Sequence, residues 1–254
     1  MPSWALEDLF AREAPPEGPW EILLFLTEDE NLRAHREALA LFVALLPRRK
    51  IYVLESHFIL MDLERHARTP AAGGRRHDAF FYVAPSTWSY LYRQSGKASF
   101  RGTLVEIGSF VGGTTLALGL GARGAPAPSV ATMDPIIPRT FAPLMDRAGL
   151  KGIVAAFEGS SSDLAGRWAS WSASRGLRSE VALLFVDGSH EYEHVLEDLT
   201  LWSPFIPSGG RIVAHDYFHP LQPGVPRAVE AFLAGRPDFS MEKYLADAVV
   251  CLRK

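Results

Sequence analysis

The chain of 254 residues holds a single cysteine, Cys251. No internal disulfide can form, and a cysteine-based zinc site is excluded with it. There is no uninterrupted apolar run of membrane-spanning length, and Met1-Pro-Ser-Trp lacks the basic-then-apolar opening of a secretion signal. A cytoplasmic location is the resulting expectation. Net charge of either sign is also in short supply. The formal net charge is −3, too little imbalance for the electrostatic footprint of a nucleic-acid binder. No internal repeat is present. What remains is ordinary globular composition, 48% apolar and 22% charged, at a length suited to one α/β domain with an added element.

The chain is organised around Thr103–Gly121. Leu104 to Ile107 reads as a short buried strand, Gly108 to Gly113 as a turn, and Thr114 onward as a helix. A strand, glycine turn and helix open many nucleotide sites, because the glycines let a ligand approach the backbone and the helix start offers free N–H groups. The order here is Glu106-x-Gly108-x-Phe110-x-Gly112. It lacks the Gly-x-Gly-x-x-Gly of a pyrophosphate site and any following Gly-Lys-Ser/Thr. An acid at the strand end repels phosphate and suits an ammonium group.

Further strands are expected at Val130–Asp134, Ile153–Phe157, Glu180–Asp187 and Arg211–Asp216. Helices are expected at 139–148, 164–172, 193–202 and 227–233, with two short strands near Phe239 and Val249. Alternation of strand and helix predicts a parallel sheet covered on both faces. Asp134, Asp187 and the pair His215-Asp216 stand where strands end, which is where open α/β sheets bind ligands. Before this region lie a proline-rich arm over 1–20, an amphipathic helix over 29–46 and a Gly/Arg-rich loop over 66–78. The arm would lie on the domain or on another subunit.

The run from Glu106 to Gly112, then Asp187-Gly-Ser-His190-x-Tyr192, Asp198 and Gly209-Gly-x-Ile-Val-Ala-His215-Asp216, resembles the class I S-adenosylmethionine-dependent methyltransferases. Within them it is similar to the small-molecule and sugar O-methyltransferases, the group that includes the macrolide-sugar and cephalosporin-hydroxylase-like proteins. The resemblance covers about 86–254. It implies a Rossmann-like fold with a seven-stranded, mainly parallel sheet and an antiparallel last strand. Residues 1–85 would form a helical extension or lid, and 86–254 the cofactor-binding domain. It also implies cofactor contacts at Glu106, Gly108, Ser109, Gly112, Thr114, Asp134, Ser161 and Asp187.

A neutral hydroxyl must lose its proton to accept a methyl group, so a base or a metal is needed. The catechol-type relatives place a lysine three residues after the strand-ending acid, and His190 holds that position here. His190 is therefore the expected base, with Asp187 and His215 as the other catalytic candidates. Asp187, Asp216 and His215 are the candidate ligands of a divalent ion, Mg²⁺ in the resembled enzymes. The His215-Asp216 pair departs from their acidic pair, so a magnesium site is in question. The expected partners are a small hydroxylated acceptor, such as a sugar or glycosylated natural product, and further copies of the chain. Neither nucleic acid nor membrane is expected. Two other readings fit the strand–turn–helix: a nicotinamide-dependent oxidoreductase, and a non-catalytic nucleoside-binding protein of the same fold. The missing pyrophosphate fingerprint opposes the first, and the acids at all three strand ends oppose the second.

Overall fold

The structure, a computed structural model, describes residues 22–26, 51–55, 83, 85–139, 141–245 and 247–254. The helix expected over 29–46 and the loop over 66–78 lie outside the described residues. Within the N-terminal third, two strands are described, β1 (Ile22–Leu26) and β2 (Ile51–Glu55), paired in parallel. From there the chain runs α1 (Pro85–Ala98), β3 (Thr103–Ile107), α2 (Gly113–Gly121), β4 (Val130–Asp134), α3 (Phe141–Arg147) and β5 (Val154–Glu158). It continues α4 (Ser161–Gly166), α5 (Trp168–Ser174), β6 (Val181–Val186), α6 (Tyr192–Trp202), β7 (Arg211–Ala214), α7 (Gly224–Gly235), β8 (Phe239–Tyr244) and β9 (Val249–Arg253).

Seven strands form one sheet in the order β5-β4-β3-β6-β7-β9-β8. All neighbouring pairs through β7 are parallel, and β9 enters antiparallel between β7 and β8. β6 is wholly buried, as a continuous apolar run in a parallel sheet must be. The chain leaves β3 toward β4 on one side and reaches β6 on the other. That order reversal opens a crevice above the carboxyl ends of β3 and β6, the usual ligand position in such sheets.

Two apolar layers cover the sheet. Leu91, Leu116, Leu118 and Leu150 pack on one face, and Trp168, Leu184, Trp202 and Val229 on the other. One expected helix, 164–172, is in fact two, because Arg167 leaves helical geometry at φ −124°, ψ 17°. The break turns Trp168 fully inward, where its Nε1–H donates to the Ser179 carbonyl at 2.7 Å and its ring meets Trp202 edge-on at 5.2 Å. Among the described residues no helix is long and apolar enough to cross a membrane.

Candidate functional site

A cleft of about 1370 Å³ opens at the carboxyl ends of β3, β4, β6 and β7. One half is walled by Gly108, Ser109, Phe110, Asp134 and the serine turn 160–162, the other by Asp187, His190, His215, Asp216 and Asp247. Two non-glycine residues among those described have positive φ, Phe110 at 44° and Asp216 at 52°, and both line this cleft. Backbone strain of this kind, on the order of 1–3 kcal/mol per residue, persists only where the surroundings hold it in place.

The first half is built by backbone. Gly108 and Ser109 each donate N–H to the Met133 carbonyl, at 2.9 and 3.2 Å. The Asp134 carboxylate then accepts from the Phe110 N–H at 2.9 Å and the Ile136 N–H at 3.0 Å. Each carboxylate oxygen retains one acceptor site for a ligand hydroxyl. The Ser109 hydroxyl is buried in the cleft wall with no hydrogen-bond partner. A buried, unsatisfied hydroxyl is costly, and a polar ligand atom in the cleft would satisfy it.

The second half concentrates charge. His215, buried at 5% exposure, places Nδ1 2.8 Å from Asp187 Oδ1 and Nε2 2.9 Å from Asp247 Oδ2. A carboxylate only accepts, so both ring nitrogens are satisfied together only when both carry hydrogen. Burial alone would disfavour that cation, but the Asp187 charge and the hydrogen bonds to Asp187 and Asp247 outweigh it and hold the imidazole well above its ordinary 6.5. His190 Nε2 lies 2.8 Å from Asp216 Oδ2 and 4.0 Å from Asp187 Oδ1. Contact with Asp216 raises the His190 pKa against the opposing effect of burial. Burial would raise that of Asp216, but contact with His190 and the charge of His215 bring it below the ordinary carboxylate value.

Residues 105–217 match the model of a methyltransferase domain family. The fold is similar to that of an O-methyltransferase from Bacillus cereus in complex with SAH, at 16% identity and a TM-score of 0.56, covering 85% of this chain and 97% of that one. It is also similar to the O-methyltransferase TomG from Streptomyces achromogenes, at 19% identity and a TM-score of 0.56, covering 89% and 100%. The chain has the Rossmann-like fold of the methyltransferases.

The cleft gathers Gly108, Ser109, Thr114, Asp134, Ser161, Asp187, His190, His215 and Asp216. Two of the expected contacts, Glu106 and Gly112, are not among the residues that line the cleft. Glu106 has no exposed surface; its Oε2 accepts hydroxyls from Thr132 at 2.5 Å and from Thr115, so it ties β4 and α2 beneath the cleft instead of facing a ligand. Gly112 is turned toward α3, where an added Cβ would meet the Phe141 ring and Met145 at 3.1 Å. Gly108 does line the cleft, yet the reason for glycine is also internal. A Cβ there would lie 2.1 Å from the Asp187 carbonyl oxygen, so the glycine lets the ends of β3 and β6 close together. Ser161 donates its hydroxyl to Asp198, which ties the serine turn to α6.

The carboxylate nearest His190 is Asp216 rather than Asp187, which is engaged by His215. For a metal, Asp187, His190, His215 and Asp216 each offer one donor atom, all within 4.8 Å of one another. Two imidazoles in the set fit a nitrogen-accepting transition ion better than Mg²⁺, which selects oxygen. His215 would ligate only after releasing the Nδ1 proton. Asp247 and Phe218 were missed in the sequence. Asp247 lies in the β8–β9 turn with no motif around it. Phe218, exposed at 49% on the cleft wall and packed edge-on against Tyr217 and Tyr244 at 5.0 and 5.3 Å, was legible only as an aromatic two residues past Asp216.

Proposed function

We propose that this domain transfers a methyl group from S-adenosylmethionine to a hydroxyl of a small acceptor. The observation that carries the reading is the division of one cleft into two halves. One is a backbone-built half suited to a nucleoside and the other a half able to take up a proton. The residues fit the cofactor: Asp134 has free acceptor sites for ribose hydroxyls, the unpartnered Ser109 hydroxyl would meet a polar atom, and Gly159 and Ser160–Ser162 would hold the adenine. When bound, the cofactor supplies an electrophilic methyl group on a sulfonium. The chain's part is to align the acceptor and remove its proton. His190, at 31% side-chain exposure, is the base; it takes the hydroxyl proton in its neutral form and passes it to solvent. Asp216 stabilises the protonated ring. A divalent ion, where bound, would be held by Asp187, Asp216 and His215 and would ease ionisation of the hydroxyl as a Lewis acid.

The acceptor is a hydroxylated natural product or sugar. The exposed Phe218 face offers a surface for an apolar ring face beside the proton-accepting group, and the Streptomyces achromogenes neighbour is involved in tomaymycin synthesis. The test is calorimetry with S-adenosylhomocysteine and NAD, followed by mass spectrometry of hydroxylated acceptors incubated with S-adenosylmethionine. Binding of S-adenosylhomocysteine alone, with a 14-Da gain on an acceptor oxygen, supports the reading. NAD binding in its place rejects it.

A further inference from the structure

Asp247 belongs to no motif and follows β8, an edge strand of the sheet, yet it reaches into the cleft. Its Oδ2 lies 2.9 Å from His215 Nε2, and its Oδ1 accepts the hydroxyl of Thr87, a fully buried residue of α1. On the other side of the ring, Nδ1 lies 2.8 Å from Asp187 Oδ1. We propose that Asp247 is the positioning residue of His215: by accepting Nε2–H and being itself held by Thr87, it sets the ring so that Nδ1 always faces Asp187. The inference rests on the methyltransferase reading of the cleft, but its central observable is the state of one ring.

The physical need for such a residue is plain. A histidine has two dissimilar nitrogens, and the hydrogen bond at one decides what the other presents. Without a partner at Nε2 the ring loses the bond that fixes its orientation, and the Asp187 carboxylate loses a fixed donor. A carboxylate behind a functional imidazole serves this purpose in metal and non-metal sites alike, and removing it costs about 10–100-fold in activity or ligand affinity. Here the buttress comes from two distant elements. The β8–β9 turn supplies the acid, and α1 supplies the hydroxyl that orients the acid. The chain Thr87–Asp247–His215–Asp187 therefore links the helix that precedes β3 to the acid at the end of β6.

The experiment uses the full chain labelled with ¹⁵N-histidine, with His215 assigned from a His215→Gln spectrum. Wild type, Asp247→Ala, Asp247→Asn and Thr87→Val are compared for the protonation of His215 Nε2, S-adenosylhomocysteine affinity, melting temperature and turnover. Wild type should show Nε2 protonated. Asp247→Ala should lose the hydrogen-bonded Nε2–H signal and lose about 10–100-fold in kcat while S-adenosylhomocysteine affinity changes less than about twofold. Asp247→Asn, whose amide oxygen still accepts Nε2–H, should keep the Nε2–H signal and recover most of the turnover, and Thr87→Val should shift both readouts in the Ala direction by a few-fold. An unchanged Nε2 signal in Asp247→Ala overturns the proposal. So does an Asn variant as impaired as Ala, or a loss of cofactor affinity and melting temperature that accounts for the lost turnover. If no acceptor is methylated at all, the proposed reaction fails, while the nitrogen signals still decide the role of Asp247.

Discussion

Replacing Glu106 by glutamine should make the protein more stable, and increasingly so as pH rises. Glu106 is a fully buried carboxyl in the central strand with two threonine hydroxyls on Oε2 and no partner on Oε1. Burial pushes its pKa from the ordinary 4.5 up to about 7, against the threonine hydrogen bonds that favour the charged form. Between those two values the folded chain binds a proton that the unfolded chain has released. The stability of the neutral form is therefore complete below pH 4.5 and is lost as pH rises through 7. At about 1.4 kcal/mol per pH unit, the interval amounts to about 3 kcal/mol of destabilisation once the folded carboxyl is ionised. Glutamine is nearly isosteric, accepts the same hydroxyls through its amide oxygen and never ionises. The assay is urea unfolding of wild type and Glu106→Gln from pH 5 to 8.5. Any constant offset from imperfect packing cancels when the difference between the two is followed against pH. That difference should move in favour of the variant by about 3 kcal/mol across the range. A pH-independent difference, or movement of the opposite sign, would refute the assignment of a neutral buried acid.

Asp134→Ala should weaken S-adenosylhomocysteine binding by about 1.5–3 kcal/mol, the cost of a charge-assisted bond, measured by calorimetry; an unchanged affinity removes Asp134 from the site. His190→Gln should lower turnover by about 10²–10⁴-fold with cofactor affinity retained. In wild type the acid limb of the pH–rate profile should lie above 6.5, because Asp216 stabilises protonated His190, and Asp216→Asn should move it lower; a limb untouched by both changes assigns deprotonation elsewhere. Gly108→Ala should lower stability by at least about 1–3 kcal/mol in thermal melts, since it combines a positive φ with a Cβ 2.1 Å from the Asp187 carbonyl oxygen. Exhaustive chelation should abolish turnover, with recovery on adding a transition ion exceeding that on adding Mg²⁺; full activity after chelation rejects a metal role.

The amino-acid sequence by itself determined the sheet and the places where chemistry stands on it. The β4 run Val130–Asp134 and the β6 run Val181–Val186 are legible because a strand covered on both faces must be continuously apolar. The polar groups that end such runs, Asp134, Asp187 and His215-Asp216, must emerge together at one edge of a parallel sheet. The tertiary structure decided which of those groups touch. His190 follows Asp187 by three residues but meets Asp216 more closely, and Asp187 turns to His215. Glu106, two residues before the glycine turn, points down into the sheet rather than up into the cleft because Thr115 and Thr132 offer it hydroxyls there. Gly108 and Gly112 look like room for a ligand, but Gly108, although it lines the cleft, also makes room for the Asp187 carbonyl, and Gly112 makes room for the Phe141 ring. Asp247 had no readable signal, since its partners lie 32 and 160 residues away and meet it only once β9 enters the sheet antiparallel beside β7. Local pattern reports the direction of a chain and the burial of a strand. The pairing of charged groups depends on how distant elements pack, and no local pattern carries that.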